Sequence, residues 1–159
     1  MRPLMGSNAL PPTQLFYLIS TLVILPIAWL RGGHAERMGV VVLLLAYVAG
    51  ALLLPLRVDR LLIGCAITDM GMLAALVWMT LKYDRWWLIL ASAAQTLSIL
   101  TYLALLTRPE LTVRENVAAQ WVFGLISLYA LLGGIFERWL AGEPPVSPSL
   151  STRPARSRS

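Results

Sequence analysis

The 159-residue chain contains one cysteine and one histidine, and Lys82 is its sole lysine. The lone Cys65 excludes an intrachain disulfide and any cysteine-based metal centre. His34, in a short turn, excludes a histidine cluster for haem, zinc or copper. It reads as a solvated loop residue, with an interfacial proton-linked role as the alternative. No glycine-rich phosphate loop follows a strand, and neither Ser92 nor Ser98 has a base beside it in sequence. Neither catalysis nor a cofactor or metal is expected. Charge is also scarce, at 13% of residues.

What the chain does have is apolar residues, 58% of the total, with a mean hydropathy of +0.71. A soluble domain averages about 45–50%, so an integral membrane protein is expected. Apolar runs between charged punctuation predict five spans, Thr13 to Leu30, Met38 to Leu56, Leu61 to Leu81, Trp86 to Leu106 and Val113 to Leu140. Each is long enough for a hydrocarbon core about 30 Å thick. Continuous runs rather than alternation exclude a β-barrel. The connections Arg31 to Arg37, Arg57 to Arg60 and Lys82 to Arg85 are short, which predicts an all-α bundle of antiparallel neighbours. The fifth run exceeds what a bilayer requires, so its start projects into the headgroups or the helix tilts. The first run ends in Leu30-Arg31-Gly32-Gly33-His34 without a small-residue cleavage site and is expected to stay as a helix. The organisation is then a short segment 1–12, a membrane domain 13–141 and a basic tail 142–159. The tail, rich in Pro, Ser and Arg, is expected to be disordered.

Arginine in place of lysine, with abundant Leu and Ala, fits a GC-rich bacterial genome and hence a bacterial inner membrane. In a five-span layout Arg2, Arg57, Arg60, Arg108 and Arg114 fall on one side. Arg31, Arg37, Lys82, Arg85, Arg138, Arg153, Arg156 and Arg158 fall on the other. The excess predicts an external N-terminus and a cytoplasmic C-terminus, a preference carried by the tail arginines. Trp29, Trp78, Trp86, Trp87 and Trp139 all fall near the second side and are expected to anchor the helices in the headgroup region. The net charge of +5 is spread over loop ends and the tail without a dense stripe. It reads as topology signal and contact with anionic lipid, not as a nucleic-acid surface. The tail could still hold a cytoplasmic partner.

Asp69 stands apart as the formally charged residue set deep inside a span. An acid at that depth costs a few kcal/mol and needs a partner. At 1.5 Å per residue it lies about 12 Å from the start of the third span, and Gln95 lies about 13 Å from the opposite start of the fourth. The two therefore share a level. Ser92, Ser98 and Tyr102 share the Gln95 face by three- and seven-residue spacing. Three readings stay open for Asp69, Gln95, Ser98 and Tyr102. They are a satisfied packing group, a proton or cation site in a transporter, and a contact to another membrane subunit. The remaining carboxylates, Glu36, Asp59, Asp84, Glu110, Glu115, Glu137 and Glu143, read as interfacial ion pairs and caps.

Small residues at four-residue spacing, Ala46 with Gly50, Gly71 with Ala75 and Ala94 with Ser98, together with the pair Gly133-Gly134, predict close helix packing. Pro26 and Pro55 lie near span ends, where a missing N–H is cheap. The stretch Asp84-Arg85-Trp86-Trp87, then Gln95 and Leu100-Thr101-Tyr102-Leu103-Ala104, resembles a segment of small uncharacterised multi-span membrane proteins of alphaproteobacteria. That resemblance covers the fourth span and its entry and implies no activity. The expected role is an accessory or interaction subunit that contacts the bilayer and either another membrane protein or a second copy. The alternatives are a small homo-oligomeric proton- or cation-coupled transporter using Asp69, and a pore-forming, holin-like protein.

Overall fold

The computed structural model describes residues 12–53, 55–56, 62–108, 110 and 112–142. Among them the fold is all helical: α1 (Pro12–Arg31), α2 (His34–Leu53), α3 (Ile63–Lys82), α4 (Trp86–Thr107) and α5 (Val113–Leu140). All five helices are long and apolar enough to cross a membrane. Apart from Pro12 and Gly142, the expected N-terminal segment and basic tail lie outside the described residues, as does the Arg57 to Arg60 connection.

The boundaries follow local chemistry. Pro12 opens α1, where a missing N–H costs nothing. α2 begins four residues before the expected Met38. Glu36 turns back to accept the Gly33 N–H at 2.7 Å, and the Arg37 N–H bonds to the Gly33 carbonyl at 3.0 Å. That is one half of a capping box with glycine as the cap, and it shortens the expected seven-residue connection to Gly32 and Gly33. α5 starts on a complete capping box: Thr112 Oγ1 accepts from the Glu115 N–H and the Glu115 carboxylate accepts from the Thr112 N–H. It ends at Gly142, whose φ of +68° suits a residue without a Cβ. Replacing Thr112 with alanine should cost about 1 kcal/mol, read as faster amide exchange confined to the first turn of α5.

The helices touch in a closed ring, α1 with α2, α2 with α3, α3 with α4, α4 with α5 and α5 with α1, and α2 also touches α5 across the ring. The interior is divided. Ile24, Leu25 and Ala28 of α1, Val40 and Leu43 of α2, Leu76 and Met79 of α3, Leu88 and Ala91 of α4, and Leu128, Leu131 and Ile135 of α5 form one apolar core. These come from the second halves of α1, α3 and α5 and the first halves of α2 and α4. The opposite halves contribute Asp69, Tyr102, Tyr17 and Tyr47, whereas the buried Glu36 and Arg138 belong to the same halves as this core. Outward-facing residues are predominantly large and apolar, among them Leu22, Leu52, Leu81 and Leu140. Monomeric soluble proteins rarely present so much apolar surface.

Four of the five expected anchors lie on that surface: Trp29 at 48% exposure, Trp78 at 51%, Trp86 at 47% and Trp139 at 67%. Lys82 Nζ sits 4.7 Å from the centre of the Trp78 ring. Trp87 differs. It is 1% exposed and belongs to the apolar core. Consecutive helical residues point about 100° apart, so the two rings leave α4 in different directions. Here Trp86 takes the outside and Trp87 the inside.

Candidate functional site

Two polar centres lie inside the bundle. The first is built around Asp69, in the second turn of α3. Gln95 Nε2, at the middle of α4, donates to Asp69 Oδ1 at 3.0 Å and lies 3.3 Å from the Asp69 backbone carbonyl. Two turns further along α4, the Tyr102 hydroxyl donates to Asp69 Oδ2 at 2.7 Å. Each carboxyl oxygen thus holds one neutral donor. The equal depth expected of Asp69 and Gln95 is what brings them together, and the seven-residue spacing from Gln95 puts Tyr102 on the same face. Ser98 is buried on this stretch of α4, and its backbone carbonyl accepts from Thr101 Oγ1 at 2.7 Å. No bond from the Ser98 side chain to Asp69 is seen. Ser92 instead meets Thr80, with hydroxyl oxygens 3.2 Å apart.

Side chains that the sequence did not single out lie in the same half of the bundle. Gln120 of α5 lies beside the Tyr102 hydroxyl, and Cys65 lies one turn before Asp69 on α3. The Tyr17 and Tyr47 hydroxyls are hydrogen bonded to each other, with Thr21 next to Tyr47. Their rings stand edge to face, 6.1 Å between centroids, and Trp121 packs against Tyr17 in the same manner at 4.7 Å. Helices α3, α4 and α5 thus meet at Asp69 and Tyr102, and α1, α2 and α5 meet at Tyr17. Gln120 is hydrogen bonded to the Tyr102 hydroxyl and Thr21 to that of Tyr47, whereas Asn116 Oδ1, one turn before Gln120, and Glu137 Oε2, next to Arg138, are buried with no hydrogen-bond partner in the protein. An unsatisfied buried polar atom costs about 1–3 kcal/mol. The signal that could have found Gln120, Tyr17 and Tyr47 was their common distance from the same set of helix ends, the test applied to Gln95.

The second centre is where α2 meets α5. Glu36, expected at an interface, is 0% exposed. Its Oε2 accepts the Gly33 N–H and lies 3.7 Å from Arg138 Nη1, a charge pair too long for a hydrogen bond. Its Oε1 accepts from Trp87 Nε1 at 3.3 Å. Arg138 is buried as well. The ion-pair role expected of Glu36 therefore holds, and its place is the interior. Glycines admit these groups. A Cβ at Gly33 would overlap the Arg138 guanidinium, one at Gly134 would overlap the Trp87 indole, and one at Gly39 would come within 2.8 Å of it. The Gly133-Gly134 pair receives the tryptophan pair, Gly133 against Trp86 and Gly134 against Trp87.

The Glu36 centre joins a charge pair, an indole donor and a backbone donor at the end of the bundle that also holds the apolar core. The Asp69 centre sits in the opposite half, held by the neutral donors of Gln95 and Tyr102. Comparison with protein-family models, curated proteins and solved structures finds no match to the chain.

Proposed function

We propose that this chain is a multi-pass protein of a bacterial inner membrane, and that Asp69 is the proton- or cation-binding group of a small transporter. The five helices would cross antiparallel. Short connections favour that arrangement, as do the pairings of Asp69 with Tyr102 and of Thr80 with Ser92, which run in opposite sequence directions along α3 and α4. By the arginine distribution the N-terminus would lie outside and the C-terminus in the cytoplasm.

One observation carries the reading: Asp69 is an acid set well inside an apolar helix, and the donors on its two carboxyl oxygens, Gln95 and Tyr102, are both neutral. On α5 of the same half of the bundle, Asn116 Oδ1 is buried with no hydrogen-bond partner in the protein. Such a group suits a place that exchanges water or solute. The Asp69 carboxyl takes its donors from its own chain, so a second subunit is not needed to hold it. A half holding Asp69 that faces one membrane surface, and a half sealed by Glu36, Trp87 and Arg138, would give the site access from one side.

The test is proton flux in proteoliposomes carrying a pH-sensitive dye, under an imposed potential. The wild-type protein should acidify the lumen, and Asp69→Asn, which keeps the shape and one acceptor oxygen, should lower the rate to that of empty vesicles. Equal flux in the two proteins would remove Asp69 from the mechanism. A stoichiometric second protein retained on gentle extraction, with no flux, would favour the accessory-subunit reading.

A further inference from the structure

The outer surface of the bundle holds a groove between α4 and α5, of about 350 Å³. Its floor is the buried Ala130, and its walls include Trp86 and Leu90 of α4 and Val122, Ile126 and Tyr129 of α5. All five wall residues are exposed, so the groove opens outward. Trp86, the first residue of α4, stands at one end and packs against Gly133. From Ala130 to Val122 the groove follows α5 inward for eight residues, about 12 Å. One leaflet of a bilayer offers about 15 Å of hydrocarbon, so the groove has the reach of a single leaflet. Its volume spread over that length gives a cross-section of about 30 Å², against about 80 Å² for a helix 10 Å across. A second helix cannot sink into it, whereas one polymethylene chain can. The Tyr129 hydroxyl lies 3.4 Å from Ser20 Oγ of α1, which leaves the ring as an apolar wall.

Lipid tails compete equally for apolar surface, so shape alone does not choose among lipids. Charge at the mouth does. The end of the bundle where Trp86 meets Gly133 and Glu36 meets Arg138 carries Arg31, Arg37, Lys82, Arg85 and Arg138 against three acids among the described residues. The opposite helix ends carry Arg108 and Arg114 against Glu110 and Glu115. Lys82 and Arg85 both precede Trp86 within four residues. We propose that the groove binds one acyl chain of an anionic phospholipid, with the phosphate at the Trp86 end near Lys82 and Arg85 and the chain running along Ala130 towards Val122. The Trp86 indole then sits at headgroup level, the position such rings favour. With the C-terminus in the cytoplasm, this end faces the leaflet richer in anionic lipid. The assignment rests on the helices lying in a bilayer and is independent of Asp69.

The experiment is native mass spectrometry of the full-length protein, extracted in mild detergent and supplied with equal amounts of dioleoylphosphatidylglycerol and dioleoylphosphatidylcholine. One phosphatidylglycerol per chain is expected, held about 5- to 30-fold more tightly than phosphatidylcholine. Lys82→Gln combined with Arg85→Gln should bring the two lipids within about twofold of each other. Leu90→Trp fills the groove from an exposed wall position and should lower retention about tenfold. Val122→Trp does the same at the deep end and answers for a loss of fold in Leu90→Trp. Leu97→Trp, exposed on α4 outside the groove, should stay within about twofold of wild type. No one-to-one adduct, equal retention of the two lipids by the wild-type protein, or undiminished retention in both groove variants would overturn the assignment. So would a loss in Leu97→Trp as large as in Leu90→Trp. A lipid-free dimer that Leu90→Trp dissociates would give the groove to a second copy and also overturn it. Asp69→Asn should retain the lipid like wild type, so loss of the groove site leaves the Asp69 reading standing. Recovery of the chain from cells without detergent would remove both.

Discussion

Glu36→Leu is expected to destabilise the bundle by about 3–5 kcal/mol, the loss that follows when one member of a buried ion pair is removed. Arg138 would keep its charge in the interior without the carboxylate 3.7 Å away. Trp87 Nε1 and the Gly33 N–H would each lose the acceptor they now use. An exposed pair at the same separation is worth about 0–1 kcal/mol, so the size of the effect distinguishes an interior pair from an interfacial one. The measurement is thermal unfolding in mild detergent followed by tryptophan emission. Arg138→Met alone should be similarly damaging. The double variant Glu36→Leu with Arg138→Met should recover a large part of the loss, since no lone charge then remains and methionine fills the guanidinium's space. It should not recover all of it, because the indole and Gly33 donors stay unmatched, at about 1–3 kcal/mol each. Additive losses in the double variant would show that the two side chains act independently.

The limits of reading the sequence follow from what each residue advertises. Long apolar runs announce the five helices, and the described ends of α4 and α5 fall within a residue of expectation. The meeting of Asp69 with Gln95 was legible because depth is additive along a helix of fixed rise. Tyr102 follows from spacing on the same face. Glu36 and Arg138 were not legible as interior groups. A charged residue near a helix end has water and headgroups within reach, so its inward turn depends on a partner and an opening that lie elsewhere in the chain. Gly33 just before α2, Gly39 within it and Gly134 in α5 provide the opening, from parts of the chain separated by most of the sequence. Tyr17, Tyr47 and Gln120 were missed for a related reason: such amphipathic residues fit equally well on the outside of a membrane helix. Only the ring of contacts selects their direction.

The second large effect is steric and concerns Gly134. A Cβ there would overlap the Trp87 indole, and the indole has little freedom to yield, since Gly39 lies close to its far edge and its Nε1 is bonded to Glu36. Gly134→Ala is therefore expected to cost about 1–3 kcal/mol, and Gly134→Val more. In a membrane bundle this loss falls on close packing itself, because lipid tails compete equally for apolar surface. Gly71 provides the contrast. It lies in the middle of α3 with nothing within 4 Å of where a Cβ would stand, so Gly71→Ala should be neutral or stabilising by up to about 1 kcal/mol through helix propensity. The two substitutions make the same chemical change in two similar helices, and thermal midpoints that move in opposite directions would locate the difference in the tryptophan slot. Combining Gly134→Ala with Trp87→Phe offers the smaller ring room and should regain part of the lost midpoint, although phenylalanine leaves Glu36 Oε1 without its indole donor. If Gly134→Ala and Gly71→Ala behave alike, Trp87 is not held between α2 and α5, and the seal opposite Asp69 is looser than the packing implies.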